Sequence, residues 1–322
     1  MNSKVSIIIP TFRRVAPLRR AIESVINQTY TNIEIIIVDD NEKESSYRKE
    51  VNQIIEEYQQ KFNNILYIKN KKNLGSAQTR NIGIETSKGD FITFLDDDDI
   101  YLPDKIKNQL TYMLENNLEM SFADLCLMNE RDRIVGYRTK NRLKSLEHSN
   151  LMKYHLKHHI TGTNTFMFKR DLITRINGFD LIDVGDEFYL MLKTIQSGAR
   201  IGYLQRCDVI CCVHNNDGGL STGHKKIEGE NYLHKCKKKF FNMLTFSEKR
   251  YINFRHYAVL TYVNLKRKRL MPATKYGIIT VMFYCDIIIN EGYIIMKSRL
   301  SRRLAGRENE QAHKGTAVWN DI

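Results

Sequence analysis

The 322-residue chain lacks Cys-x-x-Cys pairs, long apolar runs and a leader-like segment. Each absence argues against a class of protein. None of the six cysteines forms a Cys-x-x-Cys pair, which argues against a zinc site and predicts reduced thiols in a cytoplasm. No uninterrupted apolar run reaches about 18 residues, so no membrane-spanning helix is predicted. The first apolar run, 5–9, is too short for a signal-peptide core. These absences predict a soluble cytoplasmic protein.

Glycine-rich phosphate-binding loops are also missing. No G-x-G-x-x-G follows the first predicted strand, and no G-x-x-x-x-G-K-[ST] occurs in the chain. Acidic residues are in deficit, with 37 Asp and Glu against 50 Lys and Arg, so the net charge is +13. A basic surface favours anionic partners such as nucleic acids, lipid headgroups or phosphorylated substrates. A bound nucleoside diphosphate would therefore need another device to neutralise its phosphates.

The first half of the chain alternates strand and helix patterns. Apolar runs of buried-strand type occupy residues 5–9, 33–38, 65–68 and 91–95. Between them, an apolar helix face follows Pro17, and helices are predicted at 46–61 and 76–86. This rhythm predicts an α/β fold with a Rossmann-like, doubly wound, mostly parallel sheet.

The second half is less regular. Strands are predicted at 120–128, 134–138, 164–168 and 201–213, and a helix at 143–157. From residue 231 the chain turns helical and basic, and the polar tail, 301–322, is expected to be disordered. Polar residues interrupt the apolar segment 276–296, which predicts an amphipathic or core helix rather than a membrane span.

Four consecutive aspartates, at 96–99, directly follow the fourth predicted strand. Adjacent carboxylates repel one another, and a cation or hydrogen-bond donors would offset that cost. On its own such a run is also typical of a solvated acidic turn. However, polar residues at 10–14 follow the first strand and those at 39–41 follow the second. Parallel strands bring these clusters to one edge of the sheet, where Mg²⁺ or Mn²⁺ would suit phosphate oxygens.

Four motifs occur in order along the first half, at residues 5–12, 38–40, 73–81 and 94–99. Together they resemble the inverting family 2 glycosyltransferases, which have a GT-A fold. The resemblance is strong over about the first 100 residues and continues more weakly to about residue 225.

The resemblance implies a particular division of the chain. A GT-A glycosyltransferase domain would occupy residues 1–230, with a nucleotide-sugar half at 1–100 and an acceptor half at 101–230. A basic helical extension at 231–300 and the tail would follow.

The resemblance also implies a pocket for a nucleoside diphosphate sugar, with UDP as the expected nucleotide. Its residues would be Pro10, Thr11, Phe12, Arg13, Asp39, Arg80, Asp96 and Asp97. Asp39 would accept hydrogen bonds from the base, Asp96 would contact the ribose and Asp98 would bind the metal. Asp97 occupies the variable position of the family's D-x-D element, and the role of Asp99 stays open.

Residues 177–180 and 185–190 resemble the family segment that carries the catalytic base. Relatives usually read E-D-[YW] there, whereas this chain reverses the two acids, so the base is either Glu187 or Asp186. One carboxylate must reach the acceptor hydroxyl, and the alternative is a pair of acids favoured at a helix start. His214, in a later segment, would meet the metal or the diphosphate, or else be structural.

Two basic clusters have simple alternative explanations. His155, His158 and His159 share a helical spacing, for which a solvated basic face is preferred over a metal site. The lysines at 235–239 predict either a solvated surface or contact with an anionic membrane.

The predicted function is inverting transfer of a sugar from a nucleoside diphosphate sugar to a saccharide hydroxyl, with Mn²⁺ or Mg²⁺ as cofactor. The basic surface favours a lipid-linked acceptor, in cell-surface polysaccharide synthesis at the inner face of the membrane. The alternatives are a nucleotidyltransferase, which typically has a glycine-rich loop after its first strand, and a non-catalytic sugar- or nucleic-acid-binding protein. Nucleic-acid binding is disfavoured because the acidic rim would repel phosphates.

Overall fold

The computed structural model describes residues 2–182, 184–213 and 224–312. The chain forms two compact units, Met1–Lys225 and Lys226–Ile322. The strands are β1 (Val5–Thr11), β2 (Ile33–Asp39), β3 (Ile65–Lys69), β4 (Phe91–Phe94), β5 (Ile100–Tyr101), β6 (Met120–Ala123), β7 (Leu125–Asn129), β8 (Ile134–Arg138), β9 (Met167–Lys169), β10 (Ile201–Leu204) and β11 (Val209–Val213). The helices are α1 (Ala16–Ile26), α2 (Ser46–Gln59), α3 (Ser76–Thr86), α4 (Lys105–Glu115), α5 (His148–His158), α6 (Arg170–Arg175), α7 (Asp186–Gln196), α8 (His224–Lys238), α9 (Phe246–Lys266) and α10 (Leu270–Ala312).

Seven strands form the main sheet, in the order β10-β6-β9-β4-β1-β2-β3. Neighbouring strands are parallel except around β9, which runs antiparallel to β4 and β6. The valine and the three isoleucines of β1 are fully buried, because β1 lies between β2 and β4 and the hydrophobic core packs on it. The predicted α/β fold with a mostly parallel sheet is confirmed.

The strand order reverses between β1 and β4. From β1 the chain moves outward to β2 and β3, and β4 then returns to the other side of β1. Loops that leave β1 and β4 therefore diverge, and open α/β sheets bind ligands in the crevice at such a point. The backbone N–H of Asp40 donates to the carbonyl of Thr11 (2.9 Å), and that of Leu95 donates to the carbonyl of Ile8 (3.0 Å).

A second sheet, in the order β5-β11-β7-β8, lies in the first unit. The predicted single strand at 120–128 is wrong, because β6 belongs to the main sheet and β7 to the second. The predicted strand at 201–213 divides in the same way into β10 and β11. At the first division the carboxylate of Asp124 accepts a hydrogen bond from the hydroxyl of Tyr203 (2.6 Å). A single charged residue, Asp124, interrupts the apolar pattern at the first division, and one polar residue does not show that the next strand belongs to another sheet.

Two smaller boundaries also differ from the predictions. The predicted strand at 164–168 starts as a 3₁₀ turn, Thr163–Thr165, and becomes β9 only at Met167. The helix predicted at 143–157 starts at His148.

The second unit contains α8, α9 and the long α10. Thr245 and Glu248 form a capping box that satisfies backbone N–H groups at the start of α9. The ring of Tyr257 in α9 stacks on that of Tyr276 in α10, with centroids 6.2 Å apart. α10 kinks at Tyr284, which has φ −138° and ψ 23°.

The first part of α10 is more apolar than the sequence reading suggested. Leu270–Tyr293 is long and apolar enough, with a mean hydropathy of 1.2, to cross a membrane by length and composition alone. This differs from the expectation that no such helix exists. Only 17% of its most apolar stretch is buried, so the core-helix alternative is wrong. α10 extends to Ala312, into the tail that was expected to be disordered, and residues 313–322 lie outside the described part of the chain.

Candidate active site

Asp97 joins the two loops that flank the reversal of strand order. Its Oδ2 atom accepts hydrogen bonds from the hydroxyl of Thr11 (2.8 Å) and the backbone N–H of Phe12 (3.2 Å). Its Oδ1 atom accepts from Nη1 of Arg14 (2.7 Å). Burial raises the pKa of Asp97 to about 6, against the lowering effect of Arg14. Asp97 therefore holds the loop after β1 to the aspartate run, and Pro10 lies just before this loop, at the end of β1.

Arg14, more than the expected Arg13, contacts the aspartate run. Its guanidinium also lies 3.0 Å from Oδ2 of Asp98, so one cation offsets two adjacent carboxylates. Arg13 instead pairs with Glu42 at 3.7 Å and lies over the ring of Phe12. Arg13 has a left-handed φ of 56°, which turns the chain between the two arginines. Adjacent arginines were visible in the sequence, but that turn was not.

Asp39, at the end of β2, is completely buried. Its Oδ1 atom accepts from the backbone and side-chain amides of Asn41 (2.9 and 2.8 Å). Its Oδ2 atom accepts from the hydroxyl of Tyr67 (2.6 Å) and lies 2.9 Å from Nε of Arg48. The side-chain oxygen of Asn41 accepts in turn from the backbone N–H of Arg13 (2.7 Å). Protein groups thus surround the Asp39 carboxylate, which organises the loop of the expected base pocket.

Asp40 anchors the later N-L-G motif, a role that the sequence did not assign. Its carboxylate accepts hydrogen bonds from the backbone N–H groups of Leu74 (2.8 Å) and Gly75 (2.9 Å), and from the side chain of Asn70 (2.8 Å). Gly75 has a φ of +84°, which favours glycine, and directly precedes α3. Asp40 therefore fixes the start of the helix that carries Arg80.

Arg80 bridges the aspartate run and the acidic pair at the start of α7. Its Nη2 atom lies 2.6 Å from Oδ1 of Asp96, and its Nη1 atom lies 3.0 Å from Oδ2 of Asp186. The guanidinium is buried and lies over the ring of Phe179, 5.4 Å from the centroid. Although burial lowers it, Asp96 and Asp186 raise the pKa of Arg80 above its ordinary value, so the residue stays charged. The structure thus brings these three predicted residues together.

Glu187 follows Asp186 in the first turn of α7. Its Oε2 atom accepts a hydrogen bond from the backbone N–H of Gly162 (2.9 Å). Burial and then the charge of Asp186 raise the pKa of Glu187, against the lowering effects of Gly162 and Arg80. Gly162 has a φ of +107°, and a Cβ at this position would lie 3.1 Å from the side chain of Leu125. Both facts favour glycine as the residue that donates to Glu187. A carboxylate with a raised pKa is suited to accept a proton near neutral pH.

Lys140 adds a positive charge on the acceptor side that no sequence motif marked. It is buried, and its backbone N–H donates to the hydroxyl of Tyr203 (3.0 Å), which itself donates to Asp124 (2.6 Å). Burial lowers the pKa of Lys140, whereas the charges of Asp124 and Glu187 raise it. Lys140 therefore interacts electrostatically with Glu187.

Asp99 ties the aspartate run to the acceptor half. Its Oδ1 atom accepts from the backbone N–H of Cys212 in β11 (2.9 Å), and its Oδ2 atom accepts from the side-chain amide of Asn164. Burial raises the pKa of Asp99 well above its ordinary value. Each of these contacts joins segments far apart in the chain, which explains why the sequence left its role open.

His155 supports the acidic pair from behind. The predicted solvated basic face at His155, His158 and His159 is wrong for His155, which is fully buried and stacks on Phe188 with centroids 4.3 Å apart. Its Nδ1 atom accepts from the backbone N–H of Ile160 (3.0 Å), so Nε2 carries the proton and donates to the carbonyl of Phe188 (3.0 Å). Phe188 directly follows the acidic pair, so this contact orients the first turn of α7.

Asp98 lies beside an open cavity that Asp132 and Cys212 also line. Among the residues searched, which are those the structure describes, no three or more His, Cys, Asp or Glu side chains form a metal-holding group. Mg²⁺ commonly uses only one or two protein carboxylates together with substrate phosphates. The carboxylate oxygens of Asp98, the expected ligand, are hard donors that fit a metal bound in this way together with the sugar nucleotide. His214, the other expected ligand, lies outside the described residues.

The fold and this crevice define a GT-A transferase. The profile described as Glycosyl transferase family 2 matches residues 6–175, more than half of the chain. The chain belongs to glycosyl transferase family 2 and is an enzyme of that class.

Curated relatives carry glycosyltransferase names. An uncharacterized glycosyltransferase of Methanocaldococcus jannaschii is 28% identical over 249 residues, which are 74% of this chain and 83% of the relative. The minor teichoic acid biosynthesis protein GgaB of Bacillus subtilis is 29% identical over 209 residues, which are 63% of this chain but 22% of that protein.

Solved structures share the fold at low sequence identity. Residues 1–349 of S. aureus TarS, in complex with UDP-GlcNAc, align with a TM-score of 0.59 and 16% identity, over 85% of this chain and 89% of that one. The mannosyltransferase PcManGT of Pyrobaculum calidifontis, in complex with GDP-Man and Mn²⁺, aligns with a TM-score of 0.58 and 16% identity, over 88% and 84%.

Proposed function

We propose that this enzyme transfers a sugar from a UDP-sugar to a hydroxyl of a saccharide acceptor, with inversion at the anomeric carbon. The observation that carries the proposal is the double contact of Arg80, 2.6 Å to Asp96 and 3.0 Å to Asp186. Since one side chain joins the two clusters, a sugar bound beside Asp96 lies within reach of the acidic pair.

The donor site is built from the loop after β1, the end of β2 and the aspartate run. Thr11, Phe12 and Arg13 lie on that loop, and Asp39 holds it through Asn41. The TarS complex with UDP-GlcNAc supports a UDP-sugar, and the PcManGT complex with GDP-Man makes a GDP-sugar the alternative to test.

Glu187 is the proposed base. It takes the proton of the acceptor hydroxyl at a carboxylate oxygen while the acceptor oxygen forms its bond to the anomeric carbon. The bond from that carbon to the diphosphate breaks on the opposite face, and the leaving nucleoside diphosphate keeps the electron pair. Asp186, held by Arg80, keeps the first turn of α7 in place and is the alternative base.

Asp98 is the proposed ligand of Mn²⁺ or Mg²⁺, which when bound supplies positive charge at the leaving diphosphate. His214 is proposed as a second contact on the sequence pattern alone. The guanidinium of Arg14 forms ion pairs with both Asp97 and Asp98, and its positive charge limits the repulsion between the two carboxylates.

The acceptor is proposed to be a lipid-linked saccharide of a cell-surface polysaccharide, used at the inner face of the membrane. The net charge of +13 supports a role near anionic surfaces. The name of GgaB, a teichoic acid biosynthesis protein, supports polysaccharide synthesis.

A donor screen with Mn²⁺ tests the proposal. Each sugar nucleotide is scored for binding and for acceptor-dependent release of its nucleoside diphosphate, with wild type beside Glu187→Gln. A UDP-sugar should bind to both proteins and be consumed only by wild type. Release of pyrophosphate from a nucleoside triphosphate, or no turnover of any sugar nucleotide, would overturn the proposal.

A further inference from the structure

Helix α10 leaves a row of large apolar side chains in contact with solvent. Ile278, Val281, Met282 and Ile289 are 53%, 59%, 70% and 73% exposed. The three- and four-residue spacings of Ile278, Val281 and Met282 place these three on one side of α10 before its kink at Tyr284, and Ile289 lies beyond the kink. Soluble proteins rarely leave a continuous apolar surface of this kind uncovered unless it meets a partner or a membrane.

The other side of α10 is occupied. It packs on α9, where Tyr257 contacts Tyr276 and Tyr284, and Thr280 is buried. Asp286 forms an ion pair with Arg250 of α9, at 2.9 Å. Before the kink, the exposed apolar side of α10 is therefore not the side that Tyr276 and Thr280 use for packing.

A basic cluster lies at one end of this apolar face. Four consecutive basic residues lie at 266–269, where Lys266 ends α9 and residues 267–269 form the turn before α10. Exposed apolar side chains flank them: Leu265 is 53%, Leu270 68% and Met271 87% exposed. Apolar residues beside Lys and Arg are typical of helices that lie in a membrane interface and meet anionic headgroups.

We propose that α10 docks this protein on an anionic lipid bilayer. Its face of Ile278, Val281 and Met282 enters the boundary of the acyl region, and Lys268 and Arg269 meet the headgroup phosphates. The apolar contact is a property of α10 itself, whereas the identity of the acceptor at that membrane rests on the proposed function. The net charge of +13 complements an anionic surface and opposes association of two copies.

Contacts with α9 favour docking on the surface over spanning. The Arg250–Asp286 pair ties α10 to a helix that also carries Lys249 and Arg255. If α10 crossed the bilayer, its partner would bring these charges into the hydrocarbon region, where charged side chains are costly. A position in the interface keeps the charges in water.

The test is sedimentation of the full chain with vesicles of phosphatidylcholine alone, or mixed with phosphatidylglycerol. Wild type should bind the mixed vesicles, and added salt should weaken this binding. Ile278→Ser with Met282→Ser should weaken binding at least about tenfold. Lys268→Gln with Arg269→Gln should weaken binding to the mixed vesicles roughly 30-fold.

Matched controls use residues of similar exposure and charge elsewhere. Ile134→Ser with Val135→Ser alters two side chains that are 54% and 55% exposed on β8. Lys238→Gln with Lys239→Gln removes the same charge from the other basic cluster. Both controls should bind vesicles like wild type. Equal losses in the controls, or equal binding to phosphatidylcholine alone, would overturn the proposal.

Two further measurements distinguish docking on the membrane surface from a membrane-spanning α10 and from a second copy of the chain on the apolar face. Release from vesicles by alkaline carbonate supports a surface position, whereas retention would show that α10 spans. A dimer in solution that Ile278→Ser with Met282→Ser converts to a monomer, without vesicle binding by wild type, would assign the face to a second copy. Transfer to a soluble acceptor is measured without vesicles. Vesicle binding without any transfer contradicts only the proposed function, and transfer without vesicle binding contradicts only this proposal.

Discussion

The Nη1 atom of Arg80 lies 3.0 Å from Oδ2 of Asp186, although the two residues are 106 positions apart in the chain. The other nitrogen of the same guanidinium contacts Asp96. The placement of the acceptor acids therefore depends on the donor half, and disturbance of one cluster is transmitted to the other through a single planar group.

Replacement of Arg80 by lysine should separate the two clusters while keeping the charge. An ammonium cannot make the two directed contacts of a guanidinium fork. Because a misplacement of about 1 Å can cost about 10²-fold in rate, Arg80→Lys should lower kcat by about that factor. Steady-state rates of nucleoside diphosphate release measure this effect. Arg175→Lys, at an exposed pair with Glu119, is the control and should remain active. Full activity of Arg80→Lys would show that the bridge has no part in transfer.

Glu187→Gln should remove the base without disturbing the donor site. Loss of a general base typically costs about 10²–10⁴-fold, so kcat should fall by that range while donor affinity stays unchanged. Calorimetry of donor binding and single-turnover rates measure the two quantities. If Asp186→Asn abolishes transfer and Glu187→Gln does not, the base is Asp186.

Lys140→Met should shift the pH dependence of transfer. With Glu187 as the proposed base, the carboxylate is the active form, so kcat/KM should rise as the pH passes the raised pKa of Glu187. Arg80, Asp186, Asp96 and Lys140 are the charged groups around it. Removal of the Lys140 charge disfavours the carboxylate and raises that pKa further. The acidic limb of the kcat/KM profile should therefore move to higher pH, and an unmoved limb would contradict the role of Lys140.

Substitutions of the adjacent residues Asp97 and Asp98 should have different effects, one on stability and the other on metal binding. Asp98→Ala should stay folded yet lose Mn²⁺ binding in the presence of UDP, measured by electron paramagnetic resonance, together with transfer. Asp97→Asn should instead lower stability by about 1–3 kcal/mol, since buried donors lose their charged acceptor. Thermal unfolding without nucleotide tests that loss. Normal Mn²⁺ binding by Asp98→Ala would contradict the metal assignment.

Lys105→Met should stabilise the first unit near neutral pH. Lys105 is buried, with its amine 2.6 Å from the hydroxyl of Thr93 and 4.0 Å above the ring of Tyr101. Burial lowers the pKa of Lys105 well below its ordinary value. The unfolded chain therefore binds more protons, and stability rises with pH from the folded pKa up to the ordinary one. Lys105→Met should raise Tm at neutral pH and flatten that rise.

The control for this change is Lys107→Met, at an exposed position two residues along α4. It should leave the pH dependence of Tm as in wild type. A lower Tm for Lys105→Met at neutral pH would show that the amine stabilises the fold.

Much of the donor half could be predicted from local pattern. β1, β2, β3 and β4 are short apolar runs bounded by polar residues, and α3 was predicted with its observed ends. The division of residues 120–129 between two sheets could not be predicted, because only Asp124 separates the apolar residues Ala123 and Leu125. Which sheet covers a residue depends on strands far along the chain.

The sequence by itself determined the strand–helix rhythm, the family motifs and the residue types at the rim, because these depend on local spacing. Only the tertiary structure decided which partner each charged group meets. Asp97 contacts Arg14, Glu187 meets the N–H of Gly162, and Asp186 is held by Arg80. Each contact joins segments at least 25 residues apart, and burial there raises the pKa of Asp97 and Glu187. The spacing of residues along the chain does not predict which distant segments meet.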